Sequence, residues 1–597
     1  MQHTTPSPRA ESGTGSRTIA DIVSLAAERY QEQPAARFKR DGEWTDLSYT
    51  ELSEIVSEIA RGLIDLGLHP GERVALLCTT RIEWTFADFG ITSAGGVVVP
   101  IYPTNSPEEC AWVAGNSESR FAIAEDASQV AKLIAVRDQL PGLEAIVSIE
   151  PAEGAISLDE VRERGRARDA AEVAERIAAV KPEDPYTIMY TSGTTGPPKG
   201  CVLTHGNYRS VTRMCEEIDV IEPGEPVYLY LPLAHSYALL IQLLGVDLGA
   251  PIIFWSGSRE QIVPDLMATK PVYLPSVPRI FEKIYTLVTS NNDPAKIAAA
   301  TQLGLQVRAM MAAGQPVPEQ LQAAFDQADA ELYANVRNIF GGRLKQATSG
   351  AAPIGKEILE FFYACGAPVL EGYGMTETST VTTTSTVADF KLGTVGRAIP
   401  GSELKIAEDG EVLVRGPHIF RGYYGEGDTT AFGEVDAEGW LHTGDLGALD
   451  DEGYLTITGR KKDIMITAGG KNLTPANLEN DLKRSRWISQ AVMHADRRPY
   501  PVALITLDPE EIVHFAREHE LPEDLAALSR EPKVFELIQG EVDRVNAKYA
   551  QVEQIKRFFL LDHDLSQETG ELTPTLKVKR NVINDKYASE FDALYSD

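Results

Sequence analysis

Short apolar runs alternate with amphipathic helical patterns through most of this chain, and this alternation limits the folds that are open to it. The runs include RVALLC (73–78), VVVPIY (97–102), TIMYT (187–191), VYLYLP (227–232), PIIFW (251–255) and QATSG (346–350). Between them lie segments such as 51–66, where apolar residues recur at helical spacing. Strands separated by helices predict parallel sheets that helices cover on both faces, so the fold class is α/β.

The segment from residue 279 to 340 departs from this alternation and is helical throughout. Its apolar residues recur at steps of three and four and so share one buried face: Leu321, Phe325, Ala328, Leu332 and Val336. From about 393 to 460 the pattern changes again, to short strands interrupted by glycine, which predict a small antiparallel subdomain. A compact α+β pattern follows to the end of the chain.

A length of 597 residues exceeds what one hydrophobic core usually supports, so more than one domain is expected. We predict a large N-terminal domain over 16–460, with two parallel-type sheets, helices and a small β subdomain, and a small α+β C-terminal domain over 461–597. Residues 1–15 are predicted to be a disordered tail. They are polar and lack the apolar segment of a secretory signal, so the expected location is the cytoplasm.

The formal net charge of −31 excludes several classes of partner. A nucleic-acid binder needs a basic surface, and general attraction to anionic lipid needs one too. The most apolar stretch, 226–255, does not resemble a membrane span, which leaves only peripheral membrane contact open. It is interrupted by Pro232, His235, Gln242, Asp247 and Pro251. A polyphosphate ligand would therefore need a few placed cations together with Mg²⁺.

The five cysteines are irregularly spaced, and none belongs to a CxxC pair. This usage fits a reducing compartment and predicts neither a disulfide framework nor a zinc site. We expect these residues to be small buried apolar groups, although counting alone leaves one catalytic cysteine open.

The sharpest local signal is TSGTTGPPKG at 191–200, which follows the strand 187–191. Its glycines let backbone N–H groups turn toward one point, and its hydroxyls and lysine add donors, so the loop suits a polyphosphate. It is not the P-loop of kinases and motor ATPases, because two prolines separate Gly196 from Lys199. The candidate ligands are Thr191, Ser192, Gly193, Thr194, Thr195, Gly196 and Lys199.

This loop resembles the signature of the adenylate-forming superfamily, which includes acyl-CoA synthetases, peptide-synthetase adenylation domains and beetle luciferases. Further motifs occur in the order that this superfamily requires, namely SGAAP (349–353), EGYGMTET (371–378), TGD (443–445) and GR (459–460). The resemblance extends from about residue 20 to 590. It implies that the protein uses ATP and Mg²⁺, with coenzyme A as co-substrate.

The resemblance also implies a role for each motif. The adenine side is formed by Gly350, Ala351, Ala352, Glu371, Gly372, Tyr373 and Gly374. Of these, Tyr373 covers the ring. Thr376 contacts the α-phosphate, and Glu377 ligates Mg²⁺ with Thr191 as the second metal contact.

On the ribose side, Asp445 accepts hydrogen bonds from the hydroxyls, and Arg460 supports the same sugar. His235, in LPLAHSY (231–237), is implied to lie at the acyl and γ-phosphate side.

The motif LTPTLKVKR at 572–580 resembles long-chain fatty-acyl-CoA synthetases and supplies the candidate catalytic lysine, Lys577. Lys579 is the alternative register. In much of the superfamily a glycine precedes this lysine, whereas Leu576 does so here. The resemblance implies that the C-terminal domain is mobile and rotates about a hinge near Lys462. Gly469 and Gly470 would then approach the pantetheine in the second arrangement.

The implied function is that of an enzyme, an AMP-forming acid–thiol ligase that converts a fatty acid to acyl-AMP and then to acyl-CoA. The helical block at 279–340 is similar to that of long-chain enzymes, and medium or branched acids stay open as alternatives. Two other functions also stay open: a fatty acyl-AMP ligase that serves a carrier protein, and a non-catalytic adenylate or lipid sensor. The expected partners are small molecules, and either a monomer or a homodimer fits the sequence.

Overall fold

A computed structural model describes residues 13–191, 197–290, 292–425, 435–573 and 576–596. Within these ranges the chain has two large, mainly parallel sheets, a small antiparallel sheet and a separate C-terminal α+β unit. The predicted α/β class is therefore confirmed.

Sheet 1 has eight strands within the described ranges, and six of them are parallel. Two antiparallel strands close one edge, so the strand that leads into the 191–200 motif lies beside the strand that leads out of it. The spatial order is Gly422–Tyr423, Lys199–Thr204, Pro185–Thr191, Val97–Ile101, Arg73–Leu77, Phe121–Ala124, Ala145–Ser148 and Ile156–Ser157.

Sheet 2 has nine strands among the described residues, with a parallel centre and antiparallel edges. The spatial order is Arg397–Ala398, Thr383–Thr384, Val369–Tyr373, Gln346–Ser349, Tyr273–Ser276, Val227–Leu229, Ile252–Phe254, Pro34–Arg40 and Glu43–Ser48. The antiparallel sheet 3, predicted from the glycine-punctuated segment, consists of Glu403–Ile406, Glu411–Arg415, Leu441–Leu449 and Leu455–Arg460.

Two buried helices, Ile82–Ser93 and Ser236–Leu248, join sheets 1 and 2 into one core. Their hydrophobic character extends around the whole helix, as burial on all sides requires. The contact between them includes a hydrogen bond of 2.7 Å from Gln242 Nε2 to Asp88 Oδ2. The Tyr186 hydroxyl also donates to this carboxyl group, at 2.9 Å, so the buried polar groups satisfy one another.

The other helices before residue 460 cover the sheets. They are Ile22–Tyr30, Tyr49–Asp65, Pro107–Asn116, Ala127–Ala135, Leu158–Arg166, Ala171–Ala179, His205–Glu216, Ile262–Thr269, Pro278–Thr289, Pro294–Ala312, Glu319–Ala328, Ala334–Ile339 and Lys356–Cys365. A π-helical turn, Asp329–Tyr333, joins two of them. The predicted helical block at 279–340 is confirmed, and the five apolar residues of its predicted face all belong to one hydrophobic cluster.

The C-terminal unit follows a short 3₁₀ turn at Lys461–Asp463. Its strands are Met465–Ile466, Asn472–Leu473, Ile488–His494, Val502–Leu507 and Arg557–Leu560. Its helices are Pro475–Lys483, Pro509–Glu518, Leu525–Leu528, Pro532–Asn546, Arg580–Lys586 and Ala588–Ala593. The unit has its own hydrophobic core, although the domain boundary at 460–461 and the tail at 1–15 stay predictions.

No helix within the described ranges is long and apolar enough to cross a membrane. The five cysteines are free thiols, and all but the half-buried Cys215 are fully buried.

Candidate active site

A cleft of about 3020 Å³ separates the C-terminal unit from the carboxyl ends of the strands of sheets 1 and 2. Its lining includes Thr191, Gly350 and Tyr373, which lie at or just beyond strand ends. Lys577 of the C-terminal unit lines the same cleft. The carboxyl edge of a parallel sheet is where α/β proteins bind ligands, since the loops that follow the strands converge there.

Small residues line the predicted adenine side, where side chains would narrow the cleft. Gly350 follows strand Gln346–Ser349, and a Cβ atom added to it would lie 3.4 Å from the Tyr237 ring. Ala351 has a φ of 67°, in the left-handed region, and Ala352 is exposed to the cleft. The backbone is therefore presented openly here, and a planar ring can approach it closely.

The neighbouring segment is the turn after strand Val369–Tyr373, which pairs in parallel with strand Gln346–Ser349. Gly372 and Tyr373 end this strand, and Gly374 lies so close to Thr380 that an added Cβ would come within 1.7 Å of its carbonyl oxygen. Only glycine fits at that position, which fixes the path of the loop. The Tyr373 hydroxyl donates a hydrogen bond of 2.8 Å to Asp445 Oδ2, so the predicted adenine and ribose residues are directly connected.

Glu371 pairs with Ser349 in the neighbouring strand and is buried, with 8% of its surface exposed. Burial raises the pKa of its carboxyl group to about 8, although a hydrogen bond from the Ile354 backbone N–H partly opposes the shift. Near neutral pH this group is mainly protonated and carries an O–H donor.

Asp445 and Arg460 form the predicted ribose side on neighbouring strands of sheet 3. The two residues are paired across the sheet, and Arg460 Nε lies 3.3 Å from Asp445 Oδ1. Glu411 holds the strand just before Asp445, because it accepts a hydrogen bond of 2.8 Å from the Gly444 N–H. Glu411 also lies 3.1 Å from Lys461 Nζ, so one buried carboxylate connects the strand of Asp445 with the residue before the predicted hinge.

The predicted phosphate residues flank the edge hairpin of sheet 1. Thr191 and Lys199 pair directly across it. Ser192, Gly193, Thr194, Thr195 and Gly196 lie outside the described residues. Glu377 is buried in the 3₁₀ turn Thr376–Thr378, whose first residue, Thr376, also lines the cleft.

Helix Pro107–Asn116 holds this hairpin from the side. The Trp112 indole N–H donates to the Pro198 carbonyl at 3.0 Å, and the Tyr190 hydroxyl donates to Asn116 Oδ1 at 2.6 Å. The two sides of the hairpin loop are thereby hydrogen-bonded to the same helix.

Lys577 reaches the same end of the cleft from the C-terminal unit. Surrounding protein lowers the pKa of its amine to about 8, and the charge of Arg460 adds to this effect, whereas Asp445 and Glu377 oppose it. The side chain keeps accessible surface because the cleft is open. Lys579 also lines the cleft, where it pairs with Glu109 at 3.9 Å, whereas Lys577 is the lysine that interacts with Asp445 and Glu377.

Leu576 has a φ of 60°, in the left-handed region that favours glycine. This explains why a glycine suits the position before the lysine. The Leu576 N–H donates to the Thr573 carbonyl at 2.8 Å, and the Thr573 N–H donates to the Lys577 carbonyl at 2.8 Å, which closes the turn.

His235 caps helix Ser236–Leu248 and lines the cleft. Its Nδ1 accepts a hydrogen bond of 3.2 Å from the Tyr237 N–H. Burial, together with the positive charge of Lys577, lowers its pKa to about 4. The ring is therefore neutral, and since Nδ1 is an acceptor, Nε2 carries the proton and can donate to an anionic oxygen.

The predicted hinge residue lines the cleft, whereas the predicted pantetheine residues do not. Lys462 is exposed and lines the cleft in the turn Lys461–Asp463. Gly469 and Gly470 lie in the exposed turn of the hairpin Met465–Ile466 with Asn472–Leu473, and neither lines the cleft. Their predicted role belongs to a second domain arrangement.

Sequence reasoning missed Tyr423, whose hydroxyl donates to Glu377 Oε1 at 2.9 Å. The residues are 46 positions apart, and no local motif signals this contact. It also missed Glu411, which looks like an ordinary strand residue until the ladder brings it beneath Gly444.

Two family comparisons cover most of the chain. Residues 23–424 match the AMP-binding enzyme family, and residues 462–597 match the AMP-binding enzyme C-terminal domain. The chain belongs to the AMP-binding enzyme family.

Curated relatives share this length and organisation. The long-chain-fatty-acid–CoA ligase FadD15 of Mycobacterium bovis is 38% identical over 566 residues, which cover 93% of each chain. The long-chain-fatty-acid–CoA ligase ACSBG2 of Rattus norvegicus is 31% identical over 624 residues, covering 97% of this chain and 93% of the relative. Among solved structures, o-succinylbenzoate CoA synthetase of Bacillus subtilis with its acyl-adenylate shares the fold, with a TM-score of 0.70, 21% identity and coverage of 95% and 98%.

The raised pKa of Glu371 predicts a pH-dependent stability difference. In an unfolded chain this carboxyl ionises near pH 4.5, whereas the folded protein keeps its proton up to about pH 8. The folded state therefore binds the proton more tightly, and its stability falls as the pH rises between these values. The side chain of the Glu371→Gln variant stays neutral. The melting temperature of the variant should therefore rise relative to that of the wild type as the pH increases from 6 to 9. A constant difference between the two proteins would contradict this assignment.

Proposed function

We propose that this protein activates a long-chain fatty acid as acyl-AMP and transfers the acyl group to coenzyme A. The observation that carries the proposal is that Lys577 interacts with Glu377 and Asp445 in one cleft, which apolar residues of helix Ser236–Leu248 also line. The names of the curated relatives support the choice of a long-chain acid and of CoA.

The proposed acyl site follows helix Ser236–Leu248 away from His235. Leu240, Leu244 and Leu248 line the cleft at successive turns of this helix. At 1.5 Å per residue, the distance from His235 to Leu248 is about 20 Å. One acyl chain fills half of a hydrocarbon layer of about 30 Å, so this stripe is long enough for a long-chain acid. Ile284 and Leu287 of the helical block also line the cleft.

In the first half-reaction, a carboxylate oxygen of the acid attacks the α-phosphorus of ATP. The bond to the pyrophosphate oxygen breaks, which gives acyl-AMP and pyrophosphate. Both reactants are anions, so the barrier is lowered by cations and donors that are held in place beforehand. We propose that Lys577 contacts the carboxylate and the α-phosphate, and that the Nε2–H of His235 faces the acyl side.

The donor set also suits Mg²⁺. The carboxylate of Glu377 and the hydroxyl of Thr191 are hard oxygen ligands, and a magnesium site of one or two protein oxygens completed by phosphates is common. When bound, the ion would neutralise phosphate charge. The buried position of Glu377 keeps its carboxylate oriented for this role, and we propose that Asp445 and Arg460 hold the ribose.

In the second half-reaction, the sulfur of CoA attacks the acyl carbon and AMP leaves. We propose that Lys577 occupies the place that the thiol needs, and that the C-terminal domain, residues 461–597, rotates near Lys462 before the thiol enters. Ion pairs across the domain boundary support this proposal. Lys283 lies 2.7 Å from Glu510, Glu357 lies 2.9 Å from Arg484, and Arg279 pairs with Asp508. The first two pairs are partly exposed, and exposed ion pairs are weak and can exchange readily.

We further propose that the partners are small molecules and that the protein acts in the cytoplasm. The net charge of −31 and the free cysteines support these choices.

The function is tested by measuring AMP release with acids of graded length, with and without CoA. We expect the highest rate with a long-chain acid and dependence on CoA. Activity with a carrier protein but not with CoA would favour an acyl-AMP ligase, and failure of every acid to release AMP or pyrophosphate would contradict catalysis.

Lys577→Ala should reduce adenylation by roughly 100-fold or more, since one preorganised charge is lost at the reacting atoms. Thiolation of supplied acyl-AMP should stay near the wild-type rate, because that step does not use the lysine. Exchange between ATP and pyrophosphate measures the first step, and Lys579→Ala is the matched control. If Lys579→Ala is the variant that loses exchange, the assignment of Lys577 is wrong.

Leu244→Phe should narrow the proposed acyl site at its second turn from His235. The rate with the longest acids should fall roughly tenfold relative to short acids, because a hydrophobic pocket discriminates by size to about this extent. The control is Leu243→Phe, on the next position of the same buried helix and away from the cleft lining. A profile over acid length that changes equally in both variants would contradict the location of the site.

Lys283→Glu should slow adenylation by roughly threefold, because an exposed ion pair contributes about 0.2–1 kcal/mol and reversal replaces attraction by repulsion. Thiolation should not slow. Combining it with Glu510→Lys should restore the rate, and high salt should shrink both effects. Failure of the double variant to recover would show that this pair does not stabilise the adenylating arrangement.

A further inference from the structure

Tyr423 contacts two candidate nucleotide residues at once. Its hydroxyl donates a hydrogen bond of 2.9 Å to Glu377 Oε1, and its ring lies 4.7 Å from Lys199 Nζ. Tyr423 and Glu377 are both about 8% exposed. A buried carboxylate depends strongly on such a donor, and an aromatic face attracts an ammonium group.

The backbone around Tyr423 is as firmly placed as its side chain. Strand Gly422–Tyr423 pairs with Cys201 and Val202 of the phosphate hairpin. The N–H of Phe420 donates to the Glu377 carbonyl at 2.8 Å, and the Phe420 ring packs edge-on against Tyr423. One short segment therefore holds both the main chain and the carboxylate of Glu377.

We propose that Tyr423 is a positioning residue that sets the carboxylate of Glu377 and the ammonium of Lys199 in register for magnesium-bound triphosphate. The proposal rests on the function proposed above. It goes beyond that function by assigning a separate task to Tyr423, which contacts Glu377 and Lys199.

Glu377 has two carboxylate oxygens, and its carboxylate can rotate about the bond that joins it to the side chain. The hydroxyl of Tyr423 occupies one oxygen, so the other is left for the metal in one orientation. Without this donor, the carboxylate has to be ordered when the metal binds. The free-energy cost of that ordering weakens the binding of the metal. The nucleoside part of the site does not involve this contact.

The test compares Tyr423→Phe with the wild type. The variant keeps the ring beside Lys199 and removes only the hydroxyl. We expect the Mg²⁺ concentration for half-maximal ATP–pyrophosphate exchange to rise roughly tenfold, as for a lost hydrogen bond to a charged group. Calorimetry should show weaker binding of magnesium–ATP and unchanged binding of AMP. Thiolation of supplied acyl-AMP should keep its rate.

Tyr424→Phe is the matched control. The neighbouring hydroxyl donates to the exposed Glu118 at 3.0 Å, away from Glu377, so its loss should leave all three measurements unchanged. Tyr423→Leu removes the ring as well and should weaken magnesium–ATP binding further.

A double variant keeps the test decisive. In a Glu377→Gln background, Tyr423→Phe should add little to the loss of magnesium–ATP binding, because the two residues act through one contact. Additive losses would overturn the proposal, as would a Tyr423→Phe protein with normal magnesium dependence or with an equal loss of AMP binding. A wild-type protein that forms no acyl-AMP would instead contradict the proposed function, whatever the variants do.

Discussion

The charge of Lys577 is the element on which the proposed chemistry depends, and it belongs to a different unit from the rest of the nucleotide site. It enters a cleft whose other walls are the strand ends of the two large sheets. There it experiences the opposing charges of Arg460 and of Asp445 with Glu377. In the proposed mechanism, the first half-reaction uses this arrangement of the C-terminal unit, and the second needs this charge to be withdrawn.

The chain is acidic overall, whereas the lining of the cleft includes many lysines and arginines. Its net charge of −31 would repel both anionic reactants, so local order has to replace general attraction. Burial keeps Glu371 mainly protonated near neutral pH, which limits the negative charge in the cleft. His235 is neutral there and acts only as a hydrogen-bonding group. The carboxylates of Glu377 and Asp445 are each held by a tyrosine hydroxyl, so they face defined directions.

The sequence allowed the fold class and most of the cleft to be predicted, because strand and helix periodicities differ and because the motifs stand directly after strands. It also drew attention to Leu576, and the left-handed backbone there gives the reason why glycine is the usual residue. The contacts of Tyr423 and Glu411 could not be predicted. They join residues that are distant in the sequence, and only the pairing of strands brings them together.

The most direct test of the account follows the oxygen atoms of the acid. A long-chain fatty acid labelled with ¹⁸O in its carboxyl group is converted with ATP and CoA, and the products are analysed by mass spectrometry. Attack on the α-phosphorus predicts that AMP carries one labelled oxygen and that pyrophosphate carries none. Label in pyrophosphate or in free phosphate, or unlabelled AMP beside newly formed acyl-CoA, would contradict activation through acyl-AMP at this site.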